Sequence, residues 1–121
     1  VSITWETKGK DDKLKLKLYN NTTTDWTLQS LVLVWPADGK KRKIKEIKMS
    51  GVKVWEGEAK NSPLTVSNWK KNTTAARTVN AGSPTTMEIK LDGFKTNAGS
   101  FFLTLSFSYD TQSCAVASGW P

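Results

Sequence analysis

The acidic side chains are the residues of this chain best suited to acid–base chemistry, but their positions favour a structural role. The 121 residues include 11 Asp and Glu. Asp11-Asp12, Asp38-Gly39 and Asp92-Gly93 fit turn geometry, and most of the other acids lie in turns or between lysines. Glycoside hydrolysis needs two carboxylates that flank a cleft. The sequence offers no evident pair of this kind.

Other catalytic groups are missing from the sequence. The chain has no histidine, so it lacks the most common general base and the most common transition-metal ligand. No serine stands in the Gly-x-Ser-x-Gly spacing of a nucleophile elbow, and no glycine-rich phosphate-binding loop occurs. We therefore predict that the protein is not an enzyme and uses no cofactor.

A metal site is not predicted either. Asp11-Asp12 is the only adjacent acid pair, and it fits a turn better than a calcium site. Cys114 is the single cysteine, so neither an intramolecular disulfide nor a multi-thiolate metal site can form. Two interpretations of Cys114 stay open. It is either a small buried hydrophobic residue near the last strand or the donor of an intermolecular disulfide in an oxidising compartment.

The elements that carry these residues follow a period of two. In Lys13–Leu18 leucines alternate with lysines, so a strand would place all leucines on one face and all lysines on the other. Similar alternation or short apolar runs mark residues 1–5, 26–28, 31–35, 43–49, 52–55, 77–79, 86–91 and 101–109, and residues 64–69 fit a short strand or a packed loop. The tail from 115 to 121 is small and polar apart from Trp120. This pattern predicts one domain over residues 1–121, an antiparallel β-sandwich of about eight or nine short strands.

The positive charge of the chain is high for its size, with a net charge of +7. Such a charge favours anionic partners in general. Single-stranded nucleic acid would need aromatic side chains interleaved with the basic ones. Most aromatic residues instead fall at the alternate strand positions that are expected to face the core. This pattern disfavours nucleic-acid binding and favours a basic face that is simply exposed to solvent. The basic residues assigned to that face are Lys13, Lys15, Lys17, Lys41, Arg42, Lys43 and Lys45.

The tryptophan content is unusual, with 6 in 121 residues. Three of them, Trp5, Trp35 and Trp55, fall in core register. The other three are the partner- or glycan-binding candidates, and they are Trp26, Trp69 and Trp120. Their rings are candidates for stacking on sugars or for anchoring a protein interface, or they cap the ends of the sandwich.

Three Asn-x-Thr sequons begin at Asn20, Asn21 and Asn72. In an exported eukaryotic protein they would be candidate glycosylation sites on loops. Threonine- and serine-rich loops are also common on exported prokaryotic surface proteins, in which sequons mean less.

Four segments occur in a particular order along the chain. They are Leu28-x-x-Leu31-x-Leu33-x-Trp35-Pro36, Val54-Trp55-x-Gly57, Arg77-x-Val79-x-Ala81-Gly82-Ser83, and Phe107-x-Tyr109 with Cys114. Together they resemble the β-rich globular part of bacterial surface and pilin-like proteins. The resemblance covers residues 14 to 114. It implies an exported β-domain that packs on a separate partner chain in a surface filament, as in pili whose helical core and globular cap are separate subunits.

These observations favour a non-catalytic protein outside the cell. No apolar run approaches the ~20 residues that a membrane-spanning helix needs. The strand pattern starts at Val1 without an initiator Met, so we expect a mature chain from which a leader or anchor has been removed. The first functional expectation is a structural subunit that binds a protein partner or self-assembles. The alternative is a carbohydrate-binding module that holds a polysaccharide on exposed tryptophans.

Overall fold

The computed structural model describes residues 1–6, 13–35, 43–93 and 101–119. Within these ranges there are ten strands, and no helix long and apolar enough to cross a membrane. The strands are β1 Ser2–Trp5, β2 Lys13–Tyr19, β3 Trp26–Val34, β4 Lys43–Met49, β5 Val52–Ala59, β6 Leu64–Val66, β7 Thr78–Val79, β8 Thr85–Asp92, β9 Phe102–Tyr109 and β10 Gln112–Gly119. The predicted turns at Asp11-Asp12 and Asp38-Gly39 and the predicted loop 94–100 lie outside the described residues.

The strands form two antiparallel sheets, which confirms the predicted β-sandwich. Sheet A has the order β1-β2-β8-β4-β5, and sheet B has the order β10-β9-β3-β6, with β7 pairing with the start of β3. Two features differ from the expectation. Residues 26–28 and 31–34 belong to one strand, β3, because a bulge at Gln29 joins them. The tail beyond Asp110 contains a full strand, β10, which the sequence pattern did not predict.

The core lies between the sheets and follows the period of two. Leu14, Leu16 and Leu18 on β2 are fully buried. They belong to the same core cluster as Leu103 and Leu105 on β9. Each such side chain contributes about 1.5–3 kcal/mol when it is transferred from water to the interior. Burying these leucines therefore fixes which side of each strand faces outward.

The core tryptophans lie as their register predicts, to different degrees. Trp35 is buried, whereas Trp5 and Trp55 are half-buried and pack against the core from its margins. The indole Nε1 of Trp5 donates a hydrogen bond to Ser118 Oγ at 2.9 Å. This bond links the edge strand of sheet A to the edge strand of sheet B, and it closes one side of the sandwich.

Two tight turns set the register of the hairpins. Ser50 and Gly51, between β4 and β5, both have positive φ (51° and 77°), as a two-residue type I′ turn requires. Asp110 has φ of 54° in the two-residue connection between β9 and β10. The second turn places Gln112 opposite Tyr109, and the pairing then runs without a shift to Gly119 opposite Phe102.

Candidate functional site

The outer face of sheet A carries nearly all the charged strand residues of the described chain. We call this surface the charged face. Its charged members are Lys13, Lys15, Lys17, Lys43, Lys45, Glu46, Lys48, Lys53, Glu56, Glu58, Glu88, Lys90 and Asp92. The pairing places several opposite charges beside each other, as in Lys15 opposite Glu88 and Lys43 opposite Asp92, but it also places Lys13 opposite Lys90.

Ion pairs balance much of the lysine charge on this face. Lys17 Nζ lies 3.4 Å from Glu6 Oε1, and Lys15 Nζ lies 4.0 Å from Glu88 Oε1. The densest group surrounds Lys53, whose Nζ lies 2.8 Å from Glu56 Oε2 and 3.1 Å from Glu46 Oε2. The hydrogen bond with Glu56 raises the pKa of Lys53, and the same contact lowers the pKa of Glu56. The charged face is therefore a mixed-charge surface rather than an unbroken basic one.

The predicted basic residues lie on this face where the structure describes them. Lys13 and Lys15 are exposed, whereas Lys17, Lys43 and Lys45 are half-buried. Their alkyl stems cover sheet A while their ammonium groups reach solvent. Lys41 and Arg42 lie outside the described residues.

Sheet B has the opposite character, because no residue in its five strands is charged. Its outward side chains are small, hydroxylated or apolar. We call this surface the uncharged face. Its members are Thr27, Ser30, Val32, Val34, Thr65, Thr78, Phe102, Thr104, Ser106, Ser108, Ser113, Ala115, Ala117 and Gly119.

The uncharged face has an apolar end. Val34 on β3 lies opposite Phe102 on β9, and their side chains are 42% and 49% exposed. On the other side of Phe102 lies Gly119, where a Cβ would be 3.6 Å from Phe102 Cδ2. A large aromatic ring flanked by valine and glycine and left in contact with water is a typical anchor of a binding surface.

The remainder of the uncharged face is lined by hydroxyl groups and alanines. Ser106 lies opposite Ala115 on one side and Ser30 on the other. The hydroxyls of Thr27 and Thr78 are hydrogen-bonded to each other at 2.8 Å. Such side chains lose little conformational freedom when they are covered, and their hydroxyls can rotate to suit a partner.

Trp26 was predicted to lie outside the core, and the structure corrects this expectation. Its exposed fraction is only 9%, and it belongs to the core cluster. Its Nε1 donates to Thr22 Oγ1 at 3.1 Å, and its ring meets Tyr109 edge-on with centroids 6.4 Å apart. The alternation in Trp26-Thr27-Leu28 continues into β3 and faces the core, so this ring is not available as a stacking platform.

Trp69 is half-buried and held by two contacts. Its Nε1 donates to the carbonyl of Gln29 at 2.8 Å, and the guanidinium carbon of Arg77 lies 5.3 Å from its ring centroid. One face of the ring is therefore already occupied by a cation–π contact. The third candidate, Trp120, lies outside the described residues.

Arg77 has a structural role that the sequence did not predict, since it was named only within one segment of the resemblance. It is 9% exposed, donates through Nη1 to the carbonyl of Leu28 and through Nε to Thr73 Oγ1 at 3.2 Å. Burial lowers its pKa. Arg77 and Trp69 donate hydrogen bonds to the carbonyls of Leu28 and Gln29, which lie at the bulge of β3. These bonds satisfy the two carbonyl groups and fix the 69–77 segment against sheet B.

The sequons differ in what their asparagines do. Asn20, a predicted glycosylation candidate, is 2% exposed. Its Nδ2 donates to the carbonyls of Val79 at 2.8 Å and Thr24 at 2.7 Å, and its Oδ1 accepts from Thr22. A glycan on Nδ2 would break this buried network. The prediction of a glycosylation site at Asn20 is therefore replaced by a structural role. Asn21 and Asn72 are exposed, and Asn72 has φ of 62°.

Cys114 is half-buried on β10, opposite Phe107 of β9, with its thiol side chain packed against the core. It is not bonded within the chain. Val116 and Ser118 lie on the same side of β10 as Cys114 and are also half-buried. The inner face of β10 is therefore only partly covered. No cluster of three or more His, Cys, Asp or Glu side chains occurs among the described residues.

Comparisons of the chain with protein-family models, with curated protein sequences and with solved structures found no match. The resemblance to pilin-like surface proteins therefore stays a prediction that rests on the segments quoted for it. What the geometry itself offers is a sandwich with one mixed-charge face and one face without charge.

Proposed function

We propose that the protein is a non-catalytic structural subunit of an exported surface assembly, and that it packs the uncharged face of sheet B against a partner protein chain. The observation that carries the proposal is the segregation of charge between the two sheets. Within the described part of the chain, all charged strand residues belong to sheet A, and the strands of sheet B have none.

Burying a charged side chain without a matched partner is costly, whereas small hydroxyl and alkyl groups lose little when water leaves. Cores of protein interfaces are accordingly depleted of charged residues and enriched in aromatic ones. Phe102, exposed between Val34 and Gly119, supplies such an aromatic anchor. The charged face, in contrast, has the composition of a surface that stays in water.

The location and the type of assembly rest on the resemblance to pilin-like proteins. In pili whose helical core and globular cap are separate subunits, the β-domain packs on another chain, so part of its surface must be suited to burial. The uncharged face is a physically coherent place for this contact, because covering it removes apolar area from water without burying a charge.

The carbohydrate-binding alternative has less support. It needs exposed aromatic rings, but Trp26 is buried in the core and one face of Trp69 is covered by Arg77. A sugar platform would then have to use Phe102 or residues outside the described ranges. Binding to insoluble glucan that is lost in Trp69→Ala would favour this alternative over assembly.

A pair of matched variants tests the proposal. Thr104 on β9 and Thr86 on β8 are both half-buried threonines in long strands, one on each face. In the producing organism, Thr104→Glu should lower the amount of protein in the assembled surface fraction about tenfold or more, which corresponds to roughly 1.4 kcal/mol. Thr86→Glu, which faces Lys17, should assemble like the wild type. Loss of assembly in Thr86→Glu alone would place the contact on the charged face and contradict the proposal.

A further inference from the structure

The outer edge of β10 differs from the other sheet edges of the sandwich. Natural proteins protect exposed edges with charges, prolines, bulges or short strands. In sheet A, the edge strand β1 has only four residues, and the other edge strand, β5, carries Lys53, Glu56 and Glu58 and pairs with register shifts. On the far edge of sheet B, β6 and β7 are short. β10 has eight residues, no charge, no proline and no register shift. None of the usual protections is present along it.

The hairpin geometry shows which main-chain groups of β10 point outward. A two-residue turn is closed by a hydrogen bond between its flanking residues, here Tyr109 and Gln112. Hydrogen-bonded and non-hydrogen-bonded pairs alternate along an antiparallel ladder. The N–H and C=O groups of Cys114, Val116 and Ser118 therefore turn toward β9. Those of Ser113, Ala115, Ala117 and Gly119 turn toward the open edge, where no main-chain partner occurs among the described residues.

We propose that two copies of this chain pair along these open edges, β10 against β10 and antiparallel about a two-fold axis, so that sheet B continues from one copy into the other. This inference goes beyond the proposed function and shares with it only the role of an assembly subunit. It uses the edge of sheet B, whereas the proposed docking surface is its outer face. Either contact can therefore fail without the other.

The edge of β10 lacks the charges that would keep two copies of this chain apart. Two copies with a net charge of +7 each repel one another. They can meet without opposing lysines only where the surface is free of charge. The side of the sandwich formed by β1 and β10 meets this condition, because neither strand contains a charged residue and Trp5 bonds Ser118 across them.

The strand is also complementary to itself. A two-fold contact must match each residue with a residue of the same strand. If Val116 lies on the axis, Ala115 pairs with Ala117 of the other copy and Ser113 pairs with Gly119. All four outward-facing residues are then matched, which allows about eight main-chain hydrogen bonds across the contact. Their small side chains leave room for a neighbouring strand.

Sedimentation of the purified protein over a range of concentrations tests this contact. The wild type should form a dimer. Ala117→Lys places a charge at the centre of the pairing, and Ala115→Pro removes an outward N–H. Each should weaken dimerisation about tenfold or more. Val52→Lys adds the same charge to an exposed position on β5, the far edge strand of sheet A, and serves as the matched control. Hydrogen exchange should show the amides of Ala115 and Ala117 protected only in the dimer.

The outcomes separate this proposal from the proposed function. A monomeric wild type at every concentration, or a dimer that Ala117→Lys leaves intact, overturns the edge pairing. Thr104→Glu, on the outer face, should leave the dimer unchanged even if it abolishes assembly on the surface. If Thr104→Glu dissociates the dimer, whether or not Ala117→Lys does so too, the copies meet through the uncharged face instead. If Ala115→Pro fails to fold, Ala117→Lys alone decides the result.

Discussion

Val34 and Phe102 lie directly opposite each other on β3 and β9, and both side chains are largely exposed on a sheet whose strands contain no charged residue. A pair of apolar side chains held in water by neighbouring strands gains free energy when a partner covers it. Val34 and Phe102 form the apolar end of the uncharged face, so substitutions there are the simplest test of docking.

Replacing one exposed valine tests the contribution of this pair. Val34→Ser should reduce incorporation into the surface assembly several-fold, because it removes apolar area from the interface. Val52→Ser is its matched control, since Val52 is 43% exposed and Val34 is 42% exposed, but Val52 lies on β5 of sheet A. The free energy of unfolding of each variant should stay within about 0.5 kcal/mol of the wild-type value, as is usual for substitutions at exposed positions. Equal incorporation of the two variants would argue against a docking role for Val34.

The buried amide of Asn20 should matter for stability rather than for glycosylation. Asn20→Asp removes two donors and sets a carboxylate near the carbonyls of Val79 and Thr24. We expect a loss of about 2–3 kcal/mol in the free energy of unfolding, measured in denaturant. Asn21→Asp, at the exposed neighbouring position, should change it little. In a glycosylating host, peptide mass spectrometry should find no glycan at Asn20. An occupied Asn20 in folded protein would contradict this assignment.

The guanidinium of Arg77 should stabilise the bulge of β3. Arg77→Met removes the hydrogen bonds to Leu28 and Thr73 and leaves a buried carbonyl without this donor. The expected loss is about 1–3 kcal/mol, accompanied by a change in the fluorescence of Trp69 because its cation–π partner is gone. The exposed Lys71→Met in the same segment is the control. If Arg77→Met unfolds at the same denaturant concentration as the wild type, the bulge does not depend on Arg77.

The contact between Glu56 and Lys53 should make a small, pH-dependent contribution to stability. Lys53 lowers the pKa of Glu56 in the folded state. The stabilisation is therefore present above the unfolded pKa of the carboxyl and is lost as the pH falls through its folded pKa. Glu56→Gln should be less stable than the wild type at neutral pH, and the difference should vanish in acid. Glu58→Gln, whose carboxylate lies farther from its lysine at 3.7 Å, should show a smaller difference. A difference that persists in acid would rule out this pair as its cause.

Much of the sandwich could be predicted from local patterns. The alternation of Lys13–Leu18 predicts β2 because one face must be buried and the other solvated. β10 was missed because its inner face has only Cys114, Val116 and Ser118, which give a weak hydrophobic alternation. What makes it a strand is its pairing with β9, which no local pattern contains. The bulge at Gln29 was missed for a similar reason, since its carbonyl is satisfied by Trp69, far along the chain.

The candidate site was less accessible to sequence reasoning. The six tryptophans drew attention to Trp26 and Trp69, whose environments depend on distant partners such as Tyr109 and Arg77. The buried role of Asn20 likewise depends on Val79, which is 59 residues away. A usable signal was present, because Asp110 is the only charged residue from 101 to 119 in a chain that is 24% charged. Such a long uncharged stretch, folded as a hairpin, predicts an uncharged sheet surface.

Thiol labelling of the assembled native material shows directly which face of the sandwich a partner chain covers. In a Cys114→Ala background, Ser106→Cys reports on the uncharged face, and Thr86→Cys reports on the charged face; both positions are half-buried in long strands. We expect Ser106→Cys to be protected from a maleimide reagent in the assembly and to react after dissociation, while Thr86→Cys reacts in both states. Equal labelling of the two cysteines in the intact assembly would contradict this expectation.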